Sequence, residues 1–150
     1  MAINQIETKV ITKQKISTKT LIAIGLFLIG VGAFLYLQWP SAPALCVSIG
    51  APSSVMPGQS FEALITMKNN SAKAWTTDST PHRLGSQSPQ DNWLWGTNRI
   101  DLPSSPINPG QTVTFNRIFT APTTPGSYPF DWRMVEEYVE WFGNKCTRYI

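Results

Sequence analysis

From Cys46 onward the chain is written in short apolar runs separated by turn signals. Between Phe61 and Lys68, Phe61, Ala63, Ile65 and Met67 alternate with Glu62, Thr66 and Lys68, and only Leu64 breaks the polar row. A period of two marks a strand with one buried face. Met56-Pro57-Gly58-Gln59 is a turn ahead of it, and Asn108-Pro109-Gly110 is the matching turn ahead of a second strand from Gln111. There Val113 and Phe115 oppose Thr112, Thr114 and Asn116. A third strand runs from Tyr128 to Val135, with Tyr128, Phe130, Trp132 and Met134 on one face and Pro129, Asp131 and Arg133 on the other. Cys46 to Ile49 reads as the first strand, and Val139 to Ile150 as a closing hairpin strand. No helical period of useful length follows residue 40. The pattern predicts an all-β sandwich or barrel. The long polar stretch from Thr76 to Pro106 is expected to be a loop-rich excursion with one or two short strands, the kind of segment that carries binding sites on a rigid frame.

The N-terminal part follows a different rule. Leu21 to Leu37 holds no charge and no strongly polar side chain, and Gln38 and Trp39 extend it to residue 39. As a helix the run spans roughly 28 Å, enough for the hydrocarbon of a bilayer. Tyr36 and Trp39 stand where an interfacial aromatic belt would lie, and Pro40 ends the helix. Four lysines (Lys9, Lys13, Lys15 and Lys19) precede the run, and no Lys or Arg follows it until Lys68. The expectation is a cytoplasmic basic tail (1–20), a single plasma-membrane span (21–39), a stiff linker (40–45) and an extracellular or periplasmic domain (46–150). The alternative is a cleaved signal peptide, with Ala42-Pro43-Ala44 as the cleavage pattern.

Charge narrows the function. The formal net charge is +3. After residue 40 the chain holds eight basic and eight acidic residues, so the excess belongs to the tail and the outer domain lacks the basic footprint of a nucleic-acid binder. Cys46 and Cys146 lie near the two ends of that domain. In an immunoglobulin-like sandwich the first and last strands lie side by side, which makes a disulfide geometrically feasible in an oxidising compartment. Two buried thiols are the alternative. His82 is the only histidine and has no cysteine at ligand spacing, so neither a metal site nor a cofactor is expected. Ser86, Asp91 and His82 lack a nucleophile elbow, and Glu136, Glu137 and Glu140 sit at an expected hairpin turn rather than a cleft. No enzymatic activity is expected. Asn69-Asn70-Ser71 is a glycosylation sequon.

Several separated motifs point to a family. Met67-Lys68-Asn69-Asn70-Ser71-Ala72-Lys73-Ala74-Trp75, Arg83-Leu84-Gly85-Ser86-Gln87, Pro109-Gly110-Gln111-Thr112-Val113-Thr114-Phe115, Thr120-Ala121-Pro122-Thr123-Thr124-Pro125-Gly126-Ser127-Tyr128, Trp132-Arg133-Met134 and Trp141-Phe142-Gly143 occur in this order. Residues 46 to 150 resemble the FW, or four-tryptophan, domain, the immunoglobulin-like central domain of next-to-BRCA-one autophagy receptors that also occurs in prokaryotic surface proteins. Trp75, Trp95, Trp132 and Trp141 match its four tryptophans. The resemblance implies an immunoglobulin-like β-sandwich that binds proteins without a cofactor or catalysis, and the apolar span favours the prokaryotic, membrane-anchored form. Arg117 departs from the family's apolar pattern and points to a bulge or a buried ion pair.

The expected core comprises Trp75, Phe115, Tyr128, Phe130, Trp132, Met134 and Trp141. The candidate binding face comprises Trp93, Trp95, His82, Arg83, Glu136 and Glu137. Its leading partner is another protein of unknown identity. A glycan of the cell envelope is the alternative, read by Trp93 and Trp95 if both are exposed and coplanar. A structural subunit of an envelope assembly is a third reading.

Overall fold

The computed structural model describes residues 42–150. The tail, the expected membrane span and the start of the linker lie outside the described residues. Seven strands follow in order: β1 (Ala44–Gly50), β2 (Ser60–Asn69), β3 (His82–Gln87), β4 (Arg99–Asp101), β5 (Thr112–Thr120), β6 (Asp131–Glu136) and β7 (Glu140–Cys146). They form two antiparallel sheets, β1-β2-β5 and β4-β3-β6-β7, packed as a sandwich.

The alternation in β2 maps directly onto burial: Phe61, Ala63, Ile65 and Met67 point inward, and Leu64 faces solvent opposite Asn116. The stretch from residue 76 to 106 holds the two short strands expected of it, β3 and β4. β3 lies inside the larger sheet, between β4 and β6. Its buried positions are His82, Leu84, Gly85, Ser86 and Gln87, so it carries little apolar signal. These polar side chains are buried with partners: Ser86 Oγ donates to the Asn92 carbonyl (2.7 Å) and Gln87 Nε2 to the Ser86 carbonyl (3.0 Å).

Phe61, Phe119, Phe130, Trp132 and Trp95 form one continuous aromatic core, with centroid separations of 4.9 Å for Phe119–Phe130 and 5.1 Å for Trp95–Phe130. Both of these pairs stand edge to face, the arrangement the ring quadrupoles favour. Phe115 and Met134 are buried with them. Tyr128, expected in this core, is half-buried and packs against its margin, where the chain before β6 pairs with residues 148–150.

Cys46 and Cys146 form a disulfide with Cα atoms 5.2 Å apart. Because β1 and β7 belong to different sheets, the bond clamps the sandwich along one side. Closing a loop of this length stabilises the fold by about 4.7 kcal/mol in the chain-entropy account. Beside it Gly143, at φ 75°, lets the chains approach, since a Cβ there would run into Ala44.

Two further expectations change. Arg117 marks neither a bulge nor a buried ion pair. The β2–β5 register runs unbroken through Ala63 opposite Arg117, the side chain is exposed, and it makes no ion pair among the described residues. The sequon is occupied by structure. Asn69 is fully buried, and its amide donates to the carbonyls of Lys73 and Ile107 (2.8 Å each), so it is not free to carry a glycan.

Candidate functional site

The strand directions give the sandwich two ends. At the proximal end, where residue 42 leads into β1, lie the start of β1, the end of β2 and the start of β5, since Ala44 pairs with Asn69 and Lys68 with Thr112. Around the same end Pro43, Ser71, Lys73, Trp75, His82, Glu136, Glu140 and Phe142 line an open cleft of about 290 Å³. At the distal end lie the turns after β1, β3 and β5.

The proximal end is organised by the β6–β7 hairpin. Glu136 pairs with Glu140 across it, and the loop Glu137-Tyr138-Val139 closes with Val139 N donating to the Glu136 carbonyl (3.0 Å). Tyr138 takes φ 67° and is 95 % exposed. A left-handed backbone costs an L-residue with a bulky side chain about 1–2 kcal/mol, and such a turn position favours Gly or Asn. Neither packing nor backbone geometry therefore calls for tyrosine here.

Inside the hairpin is the cleft. Trp75 and Phe142 stand edge to face at 5.8 Å, and His82 stands edge to face on Phe142 at the same separation. His82 Nδ1 faces the Thr76 backbone, and its Nε2 lies 3.9 Å from Glu136 Oε2. Thr80 Oγ1 donates to the other Glu136 oxygen (2.9 Å). Glu140 is exposed at the mouth and makes no ion pair among the described residues. The cleft thus sets two carboxylates above aromatic walls.

Outside the hairpin a charge lattice covers the larger sheet. Arg83 donates to Asp101 (2.6 Å) and reaches Glu137 (3.4 Å), while Arg99 donates to Glu137 (2.8 Å) and to Asp91. Burial works against the charge of both arginines, yet the hydrogen bonds and nearby carboxylates outweigh it and hold both above the usual arginine value. The Arg99 guanidinium lies 4.7 Å above the Trp141 ring centroid. Trp141 in turn covers Gly85, where any Cβ would strike the indole. Trp141 is thus corrected from core to the outer face. It pairs with Val135, whose side points away from the interior at that register, and it is half-buried beneath Arg99.

The expected binding face is divided among three places. His82 and Glu136 belong to the cleft, Arg83 and Glu137 to the outer lattice, and Trp93 and Trp95 to the distal turn. His82 is buried and forms a wall rather than a contact surface. Trp95 is corrected as well. It is 2 % exposed, donates Nε1–H to the Pro129 carbonyl (3.0 Å) and packs on Phe61 and Phe130, whereas Trp93 is 67 % exposed. The two rings would share a face only on an extended chain. The turn closed by Gly96 N donating to the Trp93 carbonyl (3.0 Å) sends one inward and one outward, so no paired tryptophan platform exists. The Glu136 to Glu140 hairpin was expected in the face, Tyr138 was not singled out within it, and Lys73 and Arg99 were not named. An aromatic residue within Glu136-Glu137-Tyr138-Val139-Glu140 was the available signal for Tyr138. Arg99 had none, since β4 is only three residues long.

Among the described residues no cluster of His, Cys, Asp and Glu could hold a metal ion. Comparison with curated proteins gave no match. The family model described as the Ig-like domain from next to BRCA1 gene matches residues 48–149, more than half of the chain, and the two-sheet sandwich agrees with it. The chain belongs to this family of immunoglobulin-like domains.

Proposed function

We propose that this chain is a membrane-anchored, extracytoplasmic binding module that holds a partner protein at the β6–β7 hairpin and carries out no catalysis. The family supports the general class, because immunoglobulin-like domains of this kind are interaction modules and generally non-catalytic. The apolar run at 21–39 and the lysines before it support the anchor and its orientation. Retention of the anchor also suits the start of β1. Cleavage after Ala44 would remove a fully buried residue that pairs with Asn69.

The observation that carries the reading is Tyr138. A ring almost wholly in solvent, on a left-handed backbone, contributes nothing to the sandwich, while aromatic anchors dominate binding surfaces. Val139 beside it is 57 % exposed, and the hairpin is held from both sides by Thr80, Arg83 and Arg99. A side chain presented on a braced turn loses little freedom on binding. The cleft behind it, with Glu136 and Glu140 over Trp75 and Phe142, suits a basic side chain of the partner.

Tyr138→Gly separates binding from folding. The variant should be more stable by about 1 kcal/mol, because the turn conformation costs glycine nothing. It should lose at least roughly tenfold in crosslinked partner recovered from intact cells, as removal of an anchor residue does. A variant that captures its partner as the parent does would sink the hairpin reading.

A further inference from the structure

The three-stranded sheet ends abruptly at β5. Immunoglobulin sandwiches of the constant type place a fourth strand beside the equivalent one; here no described strand takes that lane. The hydrogen bonds show which residues of β5 face it. Asn69 N donates to the Gln111 carbonyl and Ala121 N to the Gln59 carbonyl, so the odd-numbered residues of β5 turn their backbone toward β2. Thr120 N instead donates outward to the Trp95 carbonyl, which closes the upper end of the open edge. That leaves the N–H and C=O groups of Thr112, Thr114, Asn116 and Ile118 facing the empty lane, with no backbone partner among the described residues. The edge is long, holds neither proline nor glycine, and shows an Ile118 that is 69 % exposed. Such an edge is a template for another strand.

Arg117 decides which strand it takes. Its place in the alternation is inward, in line with Val113, Phe115 and Phe119, and its neighbour on β2 is the fully buried Ala63. It has no ion pair among the described residues. A strand laid along the edge would cover this guanidinium. An apolar strand would strip its water and offer nothing in return, which is how inward-pointing charges protect sheet edges. A second copy of β5 fares no better, because Thr112–Thr120 contains no acidic residue. A segment with a carboxylate on its inward face is different. Opposite Arg117 the added strand forms a non-hydrogen-bonded pair, where side chains approach most closely, and the carboxylate can take a bidentate contact.

We propose that the open edge of β5 is a strand-addition site for an extended acidic segment of a partner protein, with Arg117 receiving an inward-facing Asp or Glu. The site lies apart from the β6–β7 hairpin and does not depend on the hairpin's role.

The test uses the full-length chain in detergent micelles and a labelled peptide, Thr-Val-Thr-Glu-Thr-Val-Thr, with Gln and Lys versions at the central position. The Glu peptide should bind roughly tenfold more tightly than the Gln peptide, as charge-assisted pairing allows. The preference should shrink with added salt. Amide exchange should slow at Thr112, Thr114, Asn116 and Ile118 but not at the odd-numbered residues already paired to β2. Arg117→Glu should reverse the preference toward the Lys peptide, and Arg117→Lys should keep the original order, which shows that the fold is intact. Equal binding of the three peptides, protection confined to the hairpin, or pairing of two unaltered chains through β5 would each overturn the proposal.

Discussion

At each end of the sandwich a turn presents an aromatic ring to solvent, Trp93 at one and Tyr138 at the other, and the two turns are held by different means. At the distal end Trp93 rides on a turn fixed mainly by neutral hydrogen bonds within it, with one ion pair from Asp91 to Arg99. Ser86 Oγ donates to the Asn92 carbonyl, Asn92 Nδ2 to the Gln87 carbonyl (2.8 Å), and Leu94 N back to Asn92 Oδ1 (3.0 Å). Two residues on, Trp95 is sunk into the core and pins the turn from beneath. At the proximal end Tyr138 rides on a hairpin braced on its outer side by the charges of Arg83 and Arg99 on Glu137, and on its inner side by Thr80 on Glu136. The distal turn needs Trp95 for its architecture. The proximal hairpin would fold at least as well without its tyrosine. That asymmetry supports the proposed placement of recognition at the hairpin.

The largest expected effect breaks the distal end. Trp95→Ala removes a buried indole that touches Phe61, Tyr128 and Phe130, and it leaves a cavity. Stability should fall by about 3–5 kcal/mol in denaturant melts. A loss below about 1 kcal/mol would mean that Trp95 is not the pin, and the contrast between the ends would fail.

How much of this was legible follows from what each residue does. The alternation of Phe61, Ala63, Ile65 and Met67 announced β2, because one face of that strand meets the core and the other meets water. Trp132 and Phe130 were legible for the same reason. β3 was not, because it buries Gly85, Ser86 and Gln87, residues whose place is set by tertiary hydrogen bonds and by the indole lying over Gly85. Trp141 misled for a related reason. A tryptophan in a strand signals burial, yet here the covering layer is an arginine from β4 on a sheet's outer face. Trp93 and Trp95 look alike in sequence and differ only through a turn that no local propensity dictates. The disulfide was readable as a feasible pair, since it required only that the first and last strands meet.

The next effect sharpens the proximal side of the comparison. Gly85→Ala places a methyl group where the Trp141 ring lies, and the indole has to move out from under Arg99. Overpacking of this kind costs about 1–3 kcal/mol. The near-ultraviolet circular dichroism of the tryptophans should change, and the hairpin should lose part of the brace that Arg99 supplies through Glu137. Amide exchange should quicken more at Glu137 and Val139 than at Asp91 of the distal turn, which Arg99 also holds. Equal loosening at both ends would show that they are not independently held.

The smallest expected effect on stability is the most discriminating one for function. Trp93→Ala removes a ring that is two-thirds in solvent and that makes no ring contact with the core aromatics, whereas its neighbour Trp95 makes three. Stability should change by no more than about 0.5 kcal/mol, the range of an ordinary surface substitution. The backbone of the turn stays pinned, because its hydrogen bonds come from Asn92, Ser86 and Gly96 rather than from the indole. With folding unaffected, partner capture from intact cells reads the surface alone. The asymmetry of the two ends predicts that capture survives Trp93→Ala and fails in Tyr138→Gly. The reverse result would move the recognition surface to the distal turn and leave the left-handed tyrosine without a role.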